Sequence, residues 1–461
     1  MKENCNIPKH WEIKHLEEIT SVLGDGLHGT PKYSETGEYY FINGNNLTDG
    51  KIEIKANTKR VTFEEFEKFK KPLNERTIFV SINGTLGYTA FYRDEKVILG
   101  KSACYFNVLN TIDKNYIRYY LTTSSFTNYA NKNATGSTIK NVGLKTMREL
   151  PIPIPPTIEE QLAIVSKIEE LFSELDNGIA LLKTAQQQLK VYRQSLLKWA
   201  FEGKLSEKWR RGQTSLQTSS QLLKKIKGER EDILNSNKIK IKPIQSISEE
   251  EIAELPKLPN GAVWVKLGEI LWSVKDGPHY SPKYQEHGIP FISGGNIRPN
   301  GIDFKNVKYI SKELHDELSR RCKPMKMDVL YTKGGTTGIA KVNDYDIDFN
   351  VWVHVAVLKA ISLINPYYLQ YVLNSNHCYK QAQKYTHGVG NQDLGLTRMI
   401  LITLPVFSIE EQNYIVSELE SKLTVCDKIE ETISQSLQQA ETLRQSILKK
   451  AFEGKLVKTK P

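Results

Sequence analysis

The chain has 461 residues, 39% of them hydrophobic and 25% charged, and its 63 Lys and Arg outweigh 53 Asp and Glu to give a formal net charge of +10. That length exceeds one ordinary core and predicts two or three domains, while the composition excludes disordered and fibrous classes. The positive excess favours a polyanionic partner, nucleic acid first, although charge alone fits a merely basic soluble protein equally well.

The opening segment, residues 1–156, mixes β-rich runs such as TIFVSI with helical ones such as NYIRYYLTTSSF, punctuated by Gly-Asn and Asn-Gly turns, and predicts an α+β domain. Pro151, Pro153, Pro155 and Pro156 then block helix upstream of Thr157, which with Glu160 has capping-box spacing. Apolar residues at Ile158, Leu162, Val165, Ile168, Phe172 and Leu175 follow a heptad seam, and Gly203 closes a helix over 157–205. Residues 206–254 form a polar linker whose QLLKKIKGER stretch predicts a short amphipathic helix lying on the coiled coil. A second α+β domain spans 255–406 and leads into a helix over 407–456, started by Ser408 and Glu411 and carrying Ile409, Val416, Leu419 and Leu423 on its seam; residues 457–461 are a tail. Each long helix covers about 45 residues, or on the order of 65 Å. Two matched stripes of that length predict a coiled coil, antiparallel because each helix leaves a different domain.

One unit occurs twice. TIEEQ ending at 161 returns as SIEEQ ending at 412, and AFEGKL ending at 205 returns at 456, each pair 251 residues apart. DGLHGTPKY from Asp25 returns as DGPHYSPKY from Asp276, FINGNNL from Phe41 as FISGGNI from Phe291, and INGTLG from Ile82 as KGGTTG from Lys333. If two copies read different partners, agreement marks framework and difference marks readout. The shared Asp-Gly-x-His and Pro-Lys-Tyr elements are therefore expected to be turns or generic phosphate contacts.

No catalytic motif stands out. Gly100-Lys101-Ser102 ends like a phosphate loop, but the glycine required five residues before Gly100 is Glu95. The glycine and Pro-Pro-aromatic motifs of adenine methyltransferases are absent, as are helicase and nuclease motifs, and the nine histidines form no metal pattern. His28 and His279, each in its Asp-Gly-x-His turn, are expected to stabilise a loop or touch a ligand. The five cysteines are scattered without C-x-x-C, which fits a reduced cytoplasm, and no stretch reads as a signal peptide or membrane span.

Two domains that each end in a Pro-containing stretch, an I-E-E-Q helix start and an A-F-x-G-K-L helix end resemble the specificity subunits of type I restriction-modification systems over nearly the whole chain. The quoted matches are PIPIPPTIEEQ with LLKWAFEGKL, LPVFSIEEQ with ILKKAFEGKL, and the linker helix QLLKKIKGER. The resemblance implies two target-recognition domains separated by two long antiparallel helices in a pseudo-two-fold arrangement. It implies double-stranded DNA as partner, each domain reading one half of a split, asymmetric target. It further implies two modification subunits that methylate adenine and two restriction subunits that translocate and cleave, with S-adenosylmethionine, ATP and Mg held by those partners and none by this chain. The alternatives are a non-enzymatic coiled-coil scaffold with duplicated protein-binding domains and, against the missing motifs, a self-contained methyltransferase or nuclease. The candidate DNA contacts lie in loops at Lys32, Tyr33, Asn46, Asn83, Thr85 and Lys140, and in the second copy at Lys283, Tyr284, Asn296, Lys333, Thr336 and Gln392. Lys neutralises phosphate or holds guanine, and Asn or Gln matches adenine's groove edge.

Overall fold

A computed structural model describes residues 7–136, 139–240, 243–388 and 392–457. The chain divides into two compact units, Met1–Thr184 with Ile433–Pro461, and Ala185–Thr432. Each unit combines one globular domain, the first part of the long helix that leaves it and the last part of the other long helix.

In the first unit the main strands are β1 (Glu12–His15), β2 (Thr20–Asp25), β3 (Tyr39–Ile42), β4 (Thr77–Ser81), β5 (Thr89–Phe91), β6 (Val97–Leu99), β7 (Ala103–Val108) and β8 (Pro151–Ile154). An antiparallel sheet runs in the order β2-β7-β4-β5, β3 lies parallel to β6, and β1 pairs antiparallel with β8. Strands β4 and β7 are buried at every residue because alternate side chains enter two different cores. Ile78, Val80, Cys104 and Phe106 face the larger core, while Phe79, Ala103 and Tyr105 face the smaller. Two helices, Lys114–Leu121 and Ser124–Asn133, cover the larger core; Asp113 and Thr123 cap them by accepting from the Tyr116 and Phe126 amides at 2.8 and 3.1 Å.

The second unit repeats this plan with β9 (Val263–Lys266), β10 (Leu271–Asp276), β11 (Ile289–Ile292), β12 (Val329–Thr332), β13 (Ala340–Val342), β14 (Asn350–Val351), β15 (Val355–Ala360) and β16 (Thr403–Val406). Its sheet order is β10-β15-β12-β13, with β11 parallel to β14 and β9 antiparallel to β16. The same topology with few shared residues establishes two copies of one α+β fold.

The long helices run Ile158–Phe201 and Ile409–Phe452, 44 residues each. Thr157 and Ser408 accept from the Glu160 and Glu411 amides at 3.2 and 3.3 Å. The two glutamates that the capping box would turn back onto the helix start are engaged elsewhere: Glu160 accepts from the Trp11 indole at 2.9 Å, and Glu411 from Ser206 at 2.6 Å. The helices pair antiparallel within each unit. In the second, Arg193 meets Asp427 while, eight residues and more toward the end of the same helix, Phe201 lies in one core with Ile415 and Val416. In the first, Arg444 meets Asp176 while Phe452 lies in one core with Ile164, Val165 and Ile168.

The seam departs from the expected heptad at its start. Ile164, Val165 and Ile168 are buried in a core shared by the domain and the end of the other helix, whereas Leu162 is 47% exposed. Ile415, Val416 and Leu419 do the same in the second unit, with Ile158, Phe172, Leu175, Ile409 and Leu423 half-buried. The linker helix, Ser219–Ser236, also differs from expectation. Leu222 and Ile226 bury against the second domain, where Arg230 donates to the Leu271 carbonyl at 2.8 Å and Glu229 accepts from the Ser362 amide at 2.6 Å. Its amphipathic face thus serves the edge of that domain and not chiefly the coil.

Each A-F-E-G-K-L end docks on the domain that did not produce its helix. Phe452 packs edge-on against Tyr116 and Tyr120 at 4.9 and 5.1 Å, and Phe201 against Tyr368 at 5.6 Å. Tyr116 and Tyr368 in turn donate to the carbonyls of Pro153 and Pro405 at 2.7 and 2.8 Å. Gly203 and Gly454 end the helices at φ +73° and +66°, conformations that disfavour any side chain, and Pro259 and Pro8 occupy the space a Cβ would need.

Candidate nucleic-acid interface

Three loops converge in each domain on one short segment. In the first, Gly100-Lys101-Ser102 joins β6 to β7. Its Lys101 amide donates to Leu27 of the Asp-Gly-x-His turn at 3.1 Å, and the Ser102 hydroxyl accepts from Gly44 of the Gly-Asn turn at 2.9 Å. The Ser102 carbonyl accepts from Ile82, at the start of the Asn-Gly-Thr loop, at 3.0 Å. In the second domain Trp352-Val353-His354 occupies this place. Gly277 of the Asp-Gly-x-His turn and Tyr280 just after it meet this segment, Gly277 packing on the Val351 carbonyl and Tyr280 accepting from the Trp352 indole at 3.2 Å. A Cβ on Gly294 of the Gly-Gly-Asn turn would lie 3.8 Å from His354, whose carbonyl accepts from Lys333 at 2.9 Å. No helix follows Ser102, which leads directly into β7, so the Gly-Lys-Ser run is not a phosphate loop.

The loops carry the residues singled out from the sequence in two distinct settings. Lys32, Tyr33, Thr85 and Lys140 are exposed in the first domain, as are Lys283, Thr336 and Gln392 in the second, with Tyr284 half-buried. Tyr33 rests on Phe41 and Tyr284 on Phe291 at 6.1 and 6.0 Å, each with a lysine over its ring, Lys59 at 5.7 Å and Lys308 at 4.2 Å. Burial raises the pKa of the Tyr284 phenol. Lys140 donates to Asn131 at 2.6 Å.

Asn46 and Asn296 are buried and bonded within their own turns. The Asn46 carbonyl accepts from the Asn43 amide and its amino group donates to Glu53, while Asn296 accepts from Ser293 and donates to Asp303 and Asn306. Asn83 is half-buried and donates to Asn141 at 3.3 Å. Lys333 is 3% exposed, held by Asp393 at 2.9 Å and Asp276 at 3.5 Å. The bridges Asn83 to Asn141 and Gly334 to Asp393 make Gly334, not Lys333, the counterpart of Asn83; Lys333 stands where the first copy has buried Ile82. A buried ammonium needs compensating charge, and two aspartates supply it.

His28 and His279 close their turns on Asp25 and Asp276, at 2.5 and 3.3 Å. Arg321 binds Asp276 at 2.9 Å and the Gly277 carbonyl at 3.2 Å, beside a cavity of about 330 Å³ that also includes Tyr280, Cys322 and Asn350. Burial pushes the Cys322 thiol up to about 11, so it is a protonated wall residue rather than a nucleophile. A cavity of about 600 Å³ lies away from these loops between Lys190, Phe201, Trp264 and His377. Among the described residues no His, Cys, Asp and Glu cluster could hold a metal ion, and no helix is long and apolar enough to cross a membrane.

Sequence reasoning missed Lys59, Lys308, Arg321 and the 352–354 segment, and it weighed Gly100-Lys101-Ser102 only as a phosphate loop. The lysines lie outside any repeated motif, and Gly-Lys-Ser shares no residue with Trp-Val-His.

A duplicated α+β domain with converging loops, repeated on a pair of antiparallel helices, defines a protein that presents two related but unlike surfaces. The type I restriction modification DNA specificity domain matches residues 8–191 and again 259–439, and the chain belongs to that family. It is 27% identical to the type I restriction enzyme EcoBI specificity subunit of Escherichia coli, over 82% of this chain and 73% of that one. It is 22% identical to the EcoKI specificity subunit of Escherichia coli strain K12, over 98% and 90% of the respective chains. A chain solved in work on complex assembly and conformational transition of the type I R-M system superposes with a TM-score of 0.64 at 16% identity, covering 97% of this chain and 99% of that one.

Proposed function

We propose that this specificity subunit directs a type I restriction-modification complex to a bipartite, asymmetric DNA target, each domain reading one half-site. The observation that carries this reading is a single scaffold used twice with largely different sequence around a few shared turns. Equal backbones with unequal sequence suit two half-sites of different sequence, and a net charge of +10 suits a phosphate-lined partner. Exposed Lys32, Lys140 and Lys283 are proposed to contact phosphate. Tyr33, Thr85, Tyr284, Thr336 and Gln392 are proposed to lie against the groove. Asn46, Asn83, Asn296 and Lys333, taken up by bonds inside their loops, are proposed to shape the surface that the DNA meets.

The chain is proposed to carry no catalytic step of its own. Adenine methylation and cleavage belong in this reading to two modification and two restriction subunits, which hold S-adenosylmethionine, ATP and Mg. The antiparallel helices offer each modification subunit an equivalent dock and set the spacing of the half-sites. Mapping modified adenines in the host genome with and without the gene tests the reading directly. Replacing residues 255–406 with a foreign recognition domain is expected to change one half-site and leave the other, and a change in both halves would overturn the assignment. Adding heptads equally to both helices is expected to change the gap alone.

A further inference from the structure

We propose that Gly100-Lys101-Ser102 and Trp352-Val353-His354 are base-discriminating segments, one for each half-site. The inference deepens the reading of each domain as a DNA reader and rests on it. Both segments sit on the same backbone. Gly100 and Trp352 donate to Ile42 and Ile292, each at 2.8 Å, and Ser102 and His354 accept from Ile82 and Lys333 at 3.0 and 2.9 Å. The loops bonded to them are the most alike parts of the two domains, with Asp-Gly-x-His in one and Gly-x-Asn in another. The segments themselves share nothing: small and cationic in the first copy, aromatic and uncharged apart from an imidazole in the second. A fixed frame around a fully exchanged centre is what two readers of unlike sequences require.

Exposure and packing agree. Lys101 is exposed at the junction of three loops, and Trp352, Val353 and His354 are each only half-buried. Trp352 and His354 pack edge-to-face at 4.8 Å, which fixes both rings. His354 Nδ1 is buried without a hydrogen-bond partner, so the imidazole costs the fold something that a framework role does not return. The neighbouring loop has adapted to it. A Cβ on Gly334 would strike the imidazole, whereas the first copy, with small Ser102, has room for Asn83 at the corresponding position. Lys101 suits guanine or a phosphate at its edge, and the Trp352 to His354 surface suits thymine methyl with an adjacent acceptor or donor.

The test sequences modified bases in cells that carry the chain with its modification partner. Lys101→Ala is expected to relax one position of the first half-site by on the order of tenfold in discrimination, leaving the second intact. The triple change Trp352→Gly, Val353→Lys and His354→Ser is expected to alter the second half-site and leave the first. Should the triple variant lose all modification, Val353→Ala, a milder change at the same place, decides for the second domain. Both half-sites unchanged in Lys101→Ala and in Val353→Ala, or a change in the half belonging to the other domain, would overturn the proposal. If the unmutated chain directs no two-part modified sequence, the underlying reading falls and takes the proposal with it, an outcome distinct from an unchanged target.

Discussion

Arg193 Nη2 lies 2.6 Å from Asp427 Oδ1, and the residues 251 positions away from each, Arg444 and Asp176, form the same ion pair with the two helices exchanged. One duplicated contact thus fastens the antiparallel helices in both units. It recurs in reverse because each helix supplies the arginine to one unit and the aspartate to the other. The two versions differ in one respect: the Arg444 guanidinium also lies over the Phe172 ring at 4.4 Å, whereas Arg193 instead reaches Glu430 at 3.1 Å.

Both aspartates are more than half exposed, so screening limits each ion pair to about 0.2–1 kcal/mol. Arg193→Ala is expected to fall within that range. Arg444→Ala, which also removes the ring contact, is expected to cost about 0.5–1 kcal/mol more. Urea unfolding at low and high salt checks this: only the Arg193 effect should shrink nearly to zero in salt. An Arg444 effect that also shrinks nearly to zero at high salt would count against the ring contact.

Docking of each helix end on the opposite domain gives a larger expectation. Phe452→Ala removes a buried ring that meets two tyrosines and is expected to cost about 3–5 kcal/mol. Phe201→Ala, with Tyr368 alone as its aromatic neighbour, is expected toward the lower end of that range. Thermal unfolding followed by near-ultraviolet dichroism reads both. A loss below about 1 kcal/mol in either would mean that the end of that helix is not held by its phenylalanine.

Much of this architecture is visible in the sequence because it is local. Thr157 and Ser408 mark helix starts, Gly203 and Gly454 mark helix ends, and the repeats of I-E-E-Q and A-F-E-G-K-L expose the duplication. What is hidden is long-range. Nothing near Phe452 in the chain indicates that Tyr116 receives it, and Lys333 reads as a surface lysine until Asp276 and Asp393 are seen around it. Asn46 and Asn296 read as ligands because an exposed amide and one that braces a turn have the same sequence signature. The segments 100–102 and 352–354 escape internal alignment because the residues that should differ leave nothing to align.

The second unit also contains a titration that can be followed. Glu411, 3% exposed, is pushed above the usual carboxylate range by burial, while Ser206 and Arg210 pull it back. A carboxyl whose folded pKa is raised stabilises the fold fully below its unfolded value and loses that contribution as pH rises through the folded one. Arg210→Ala removes the main opposing charge, so it should raise the carboxyl further and cost about 3–5 kcal/mol at neutral pH. Its stability is expected to fall more steeply than the parent's as pH rises from the ordinary carboxylate range through the raised pKa. Glu411→Gln added to Arg210→Ala should abolish that slope, and a slope that survives would place its source elsewhere.

Gly334 and His354 form the most local of these tests. The backbone at Gly334 is outside the left-handed region, so its lack of a side chain is a matter of space alone. Any Cβ there meets the His354 imidazole. Gly334→Ala is expected to destabilise the second domain by about 1–3 kcal/mol through that overlap. His354→Ser opens the room that Ser102 leaves in the first copy and should remove most of the penalty. The double variant is therefore expected to be more stable than the sum of the two single changes by at least about 1 kcal/mol, a coupling measurable by a denaturant-based double-mutant cycle. Simple additivity would separate the two residues and mean that the glycine answers to some other neighbour.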